Sequence, residues 1–206
     1  IEIENHLIDG KSINEKLLVN SINEILKPLH AVYNSLCSVK CEAIANGLTL
    51  DLIRRANSFG INLAKLDIRQ EASKHTSIVK KIYKNLFNKN YDDLTENEKI
   101  KFLINSIKSK KSLLRKKIFL TKEDKEVWNT FKLLSETPRE CLGAYIISMA
   151  STASDVLTVM FLQKESGIKD FLRIVPLFET LQDLNNSNSV MMQIYKNKFY
   201  LKKFKN

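Results

Sequence analysis

Apolar residues recur at intervals of three and four from Ser12 to about Ala45. Ile13, Leu17, Leu18, Ile22, Ile25, Leu26, Leu29, Val32, Tyr33 and Leu36 fall on one face of a helix. Pro28 lies inside that pattern and is expected to kink or divide it, because proline lacks an N–H and crowds the preceding turn. Asn46 and Gly47 supply a stop, and Leu50, Ile53 and Arg54 begin a second short helix that ends near Phe59 and Gly60. The pattern then changes. INLAKLDI (61–68), GAYIISMA (143–150) and LRIVPLF (172–178) are short and mostly apolar, as strands buried on both faces of a parallel sheet are. Pro176 fits poorly in a central strand, so a bulge or an early end to pairing is expected there. Helical segments lie between the strands. Thr95 with Glu98, Thr121 with Asp124 and Thr152 with Asp155 resemble capping boxes. The helix after the second strand carries Val156, Leu157, Val159, Met160, Phe161 and Leu162 and is expected to be heavily buried.

Strand, helix and strand in this order predict a helix-rich α/β fold with parallel strands and crossover connections. Three strands cannot close a barrel. Residues 1–206 are taken as one such domain, with a Lys-rich helical insertion at about His75–Glu136. A chain of 206 residues with 44% hydrophobic content can bury a core. Its formal charge of +10 is local: residues 74–126 hold fifteen Lys or Arg against seven Asp or Glu, and five more Lys lie between Lys196 and Lys205. That distribution argues against a uniform nucleic-acid surface and leaves a basic helical binding module as the runner-up.

Cys37, Cys41 and Cys141 are too few, and odd in number, for a disulfide framework, so a reducing cytoplasm is expected. His30, Cys37 and Cys41 share a helix face but lack the fourth ligand that a tetrahedral zinc site needs. No apolar run is long enough to cross a membrane, and IEIENHLIDG does not resemble a signal peptide. The first residue, Ile1, suggests a piece of something longer. Five glycines leave no room for a Walker or dinucleotide fingerprint.

The candidate chemistry gathers where the strands end. The first supplies Asp67, Arg69 and Glu71; the second Ser148, Ser151 and Thr152; the third Glu179, Thr180 and Asp183. In parallel α/β folds and barrels, substrate sites assemble from such ends. Arg69 offers a planar fork for phosphate or carboxylate, and an ion pair with Asp67 or Glu71 fits the sequence equally well. Glu179 offers a hard oxygen to magnesium or manganese, or favours a helix start. Thr152 and Ser154 suit either helix caps or an anion. The residues alone point to an oxyanion site with a divalent metal.

Three stretches carry a resemblance: FGINLAKLDIRQEASKHT, AYIISMASTASDVLTVMFLQKESGI and LRIVPLFETLQDLNNS. They resemble the middle part of phosphoenolpyruvate carboxylase, and LHAVYNSL followed by IANGLTLDLIRRANSFG resembles the segment leading into them. Order and approximate spacing agree over about residues 25–192, while positions 74–126 match loosely. The resemblance implies a cytoplasmic, homotetrameric enzyme with an eight-stranded barrel. Such an enzyme joins bicarbonate to phosphoenolpyruvate with magnesium or manganese, releasing oxaloacetate and phosphate. It implies that Arg69 in DIRQE holds the substrate phosphate and Glu179 in PLFETL is one of two acidic metal ligands. It implies no nucleic-acid or membrane partner.

The chain also departs from that pattern. The family's GYSDSAKD-like segment with the second metal carboxylate, its FHGRGGS-like loop and its TAHPTE-like histidine do not occur here, so His6, His30 and His75 have no claim to that role. Ser151 stands where some relatives have Lys, and Ala72 where many have Ser. No complete catalytic set is present. The expectation is therefore a partial barrel from a longer carboxylase, inactive alone, with a non-catalytic remnant as the alternative beside the basic binding module.

Overall fold

The computed structural model describes residues 21–114 and 119–204. His6 and the helix expected over 12–20 lie outside the described residues. The chain divides into two compact units, up to Ala64 and from Lys65 onward.

In the first unit, Ser21 caps helix α1 (Ile22–Ser38) by accepting a hydrogen bond from the Asn23 N–H. Pro28 sits inside α1 without dividing it. Gly47 leaves helical geometry at ψ −126°, which marks the break expected there, and α2 (Leu50–Phe59) follows. Gly60 ends α2 at φ 60°, a conformation glycine adopts without a Cβ clash.

The second unit is built on a three-stranded parallel sheet in the order β1 (Leu66–Glu71), β2 (Leu142–Ser148), β3 (Arg173–Pro176). Between β1 and β2 run α3 (Ala72–Phe87), α4 (Glu96–Lys108) and α5 (Lys122–Glu136), and α6 (Ala153–Ser166) joins β2 to β3. After β3 come α7 (Leu181–Lys196) and α8 (Lys198–Phe204). The predicted α/β class with three parallel strands is thus what forms. All three expected capping boxes are present.

The first strand is displaced from its expected place. Residues 61–65 are not a strand, and Leu63 has φ 57°, so the predicted 61–68 becomes 66–71. Asp67, Arg69 and Glu71 therefore belong to the strand itself and do not follow it. The third strand stops at Pro176, as an early end to pairing required. Beyond it, the Leu177 N–H still donates to the Ile147 carbonyl at 2.8 Å. Alternation then turns the nitrogen of Pro176 toward the open edge of β3, where it leaves no β2 carbonyl unmatched.

The helices read as an insertion are the crossover that makes β1 and β2 parallel, and they supply much of the core. Ile78, Val79 and Ile82 of α3, Leu103 and Ile107 of α4, and Val127, Phe131 and Leu134 of α5 are all buried. They pack with α6, whose six expected apolar residues are buried as well. Three of the lysines here pair with carboxylates of the same unit: Lys80 with Asp92, Lys81 with Asp124, Lys74 with Glu123. The loop after α4 is tied down by Glu165, whose side chain is fully buried. It accepts from the Ser112 hydroxyl and from the Leu113 and Leu114 N–H groups, while Lys164 balances its charge at 2.6 Å.

Candidate active site

Strand pleating decides which side chains meet. Tyr145 of β2 is fully buried: its ring stacks on Phe131 at 5.1 Å and its hydroxyl lies 2.8 Å from His75 Nε2. Tyr145 and Ile147 therefore face the helices, while Ile146 and Ser148 face away. Arg69 is registered with Ile146 and Glu71 with Ser148, so both share the face away from the helices. The Val175 partner of Ile146 continues this face onto β3, and Glu179 lies just beyond β3.

Arg69 and Glu179, 110 residues apart in sequence, meet here. Arg69 Nη2 donates to Glu179 Oε1 at 2.9 Å. The other carboxylate oxygen, Oε2, accepts from the Met149 N–H at 2.7 Å. Met149 stands at φ 53°, so a turn in the left-handed region at the end of β2 aims this N–H. The Arg69 side chain is 60% exposed and that of Glu179 32%, which makes this an open ion pair worth about 0–1 kcal/mol. An incoming anion and cation can separate it at little cost. It combines a charged donor fork and a hard carboxylate at the carboxyl ends of aligned parallel strands.

The other expected residues have different tasks. Asp67 lies near the start of β1, and its Oδ1 accepts from the Ala144 N–H at 2.6 Å. Glu71 accepts from the Ser73 hydroxyl at 2.6 Å. The Thr152 hydroxyl and the N–H groups of Ser151 and Thr152 donate to Asp155 Oδ2. Ser154 gives its N–H and hydroxyl to Glu96, at 2.7 and 2.9 Å. The amino end of α6 is thus already held by two carboxylates: Thr152 is the cap, and Ser154, in the first turn, is engaged by Glu96. Thr180 caps α7 through the Asp183 N–H, and hydrogen bonds from Thr180 and Ser151 hold the Asp183 carboxyl below its ordinary range. Ser148 lies on the Arg69 face, opposite Glu71. Among the described residues no group of three or more His, Cys, Asp or Glu could hold a metal ion, and the three cysteines carry free thiols.

Two residues that matter here escaped the sequence reading. Met149 contributes through its backbone, which no side-chain motif reports. Glu96 reaches Ser154 across 58 residues, and its only local sign was an acidic position in the first turn of α4.

A sequence model of the phosphoenolpyruvate carboxylase family matches residues 2–206. The chain belongs to the phosphoenolpyruvate carboxylase family. It is 40% identical over 195 residues to the C4 phosphoenolpyruvate carboxylase of Flaveria trinervia, a match covering 94% of this chain and 20% of that protein. A phosphoenolpyruvate carboxylase of Klebsiella pneumoniae (strain 342) is 44% identical over 177 residues, covering 86% of this chain and 20% of its own length. That of Aliivibrio salmonicida (strain LFI1238) is 41% identical over 191 residues, covering 93% and 22%. The chain spans about a fifth of the curated phosphoenolpyruvate carboxylases it matches. No helix among the described residues is long and apolar enough to cross a membrane.

Proposed function

We propose that this chain is the segment of a phosphoenolpyruvate carboxylase that holds the substrate phosphate and contributes one ligand to the metal. The observation that carries this reading is the 2.9 Å contact between Arg69 and Glu179 on the sheet face away from the helices. Phosphoenolpyruvate carries a phosphate and a carboxylate, so a guanidinium that presents parallel N–H donors binds and orients it better than a single point charge does. Glu179, with one oxygen already fixed by the Met149 N–H, supplies one oxygen to magnesium or manganese. The ion, when bound, would stabilise the negative charge that develops as the phosphate leaves and an enolate forms. Arg69 holds the phosphate oxygens during that change. One carboxylate binds such an ion weakly, and the described residues hold no cluster that would complete its ligand set. Carboxylation with bicarbonate, closure of the sheet into a barrel, homotetramer assembly and a cytoplasmic setting belong to the same reading. All of them depend on sequence outside this segment.

The test is a chimera in which this chain replaces the matching segment of the Klebsiella pneumoniae relative. We expect oxaloacetate formation from phosphoenolpyruvate and bicarbonate with manganese, and a loss of at least about 100-fold on Arg69→Gln or Glu179→Gln. A folded chimera in which both substitutions leave the rate unchanged would overturn the assignment.

A further inference from the structure

The ladder between β1 and β2 loses step at one place. Leu66 pairs with Leu142 and Ile68 with Tyr145, so β1 advances by two residues while β2 advances by three. The additional residue falls at Gly143–Ala144, opposite Asp67. An extra residue in a strand strands a backbone N–H. Here the Asp67 carboxylate takes it, accepting from Ala144 at 2.6 Å. The fit is close: a Cβ on residue 143 would lie 2.2 Å from Asp67 Oδ1, and that residue is glycine.

We propose that Asp67 is a positioning residue that holds this bulge and so keeps Arg69 on the face where Glu179 lies. A strand slipped by one residue turns every side chain to the opposite face. Continued in step from Leu66 and Leu142, the ladder would set Arg69 opposite Tyr145, on the side packed against His75 and Phe131. With the extra residue it stands opposite Ile146 and reaches Glu179. Asp67 touches neither the phosphate nor the metal envisaged above and acts only through register. What this does for catalysis rests on the reading of Arg69 and Glu179 given above; the geometric effect does not.

The Met149 N–H reports the outcome, because it donates to Glu179 and senses whether Arg69 neutralises that carboxylate. In the isotope-labelled full chain, Arg69→Gln is expected to shift the Met149 amide resonance. In an Asp67→Ala background that Arg69-dependent shift should vanish, while Asp67→Asn, which retains an acceptor oxygen, should restore it. Asp67→Glu keeps the charge but carries the oxygen past the Ala144 N–H, and should reduce the shift if Ala prevents folding. A full-sized shift in folded Ala or Glu variants, or its loss in Asn, overturns the proposal. The chimera described above reads the site separately. If Arg69→Gln and Glu179→Gln leave its rate unchanged while the register effect persists in the labelled chain, the functional reading fails and the role of Asp67 stands.

Discussion

Met149 holds a left-handed backbone at φ 53° and is 48% exposed, so its contribution to Glu179 comes from the main chain and not from packing. Met149→Gly is expected to fold at least as stably and to retain the contact. Met149→Val, β-branched in a region that tolerates it poorly, should lose about 1–2 kcal/mol in a urea unfolding series. His75 provides a second single-residue test. It is fully buried, and loss of hydration pushes its imidazole down from 6.5 to about 3. The unfolded chain takes up a proton as the pH falls below 6.5, while the folded chain resists until about 3. The stability that neutral His75 provides is therefore complete above that range and falls by about 1.4 kcal/mol per pH unit within it. Denaturant midpoints measured between neutral pH and about pH 4 should show this slope, and His75→Phe should flatten it, at the expense of the Tyr145 hydroxyl partner. Asp124 acts in a lower window. Burial works to raise its carboxyl, but hydrogen bonds from Lys81, Thr121 and Ser77 prevail and set it at about 2, so its contribution persists above 3.8 and is lost only as the pH falls from there toward 2.

At the scale of elements, the local rules were legible and the long-range ones were not. The boxes at Thr95, Thr121 and Thr152 span three residues each, and a sequence reader sees both partners at once. The start of β1 was misread because the apolar positions change phase: Ile61 and Leu63 are odd, Leu66 and Ile68 even, and a strand cannot hold both sets on one face. Arg69 and Glu179 were legible as chemistry at strand ends and through family resemblance, but their contact spans 110 residues and only the sheet brings it about. The Asp67–Ala144 bond spans 77, with Gly143 as its one faint sign. Glu165 was equally silent, an acid within a heavily buried helix. Glu165→Ala should cost about 3 kcal/mol, because it leaves Lys164 and the N–H groups of Leu113 and Leu114 without their carboxylate. Limited proteolysis should then cut first in the segment between α4 and α5.

At the scale of the whole molecule, no strand among the described residues pairs with the outer edge of β1 or of β3, and Leu66 at the start of β1 is 63% exposed. Open parallel edges invite pairing, so the isolated chain is expected to self-associate with concentration, visible as a rising sedimentation coefficient. Leu66→Lys should suppress this while lowering the unfolding free energy by no more than about 0.5 kcal/mol. The open edge of β3 differs from that of β1 in one respect. Where any further strand would look for a donor at the last rung, it meets the pyrrolidine ring of Pro176. The carbonyl facing that ring needs a donor other than the strand, a side chain or a water, so regular pairing on this edge has to break three residues before Glu179.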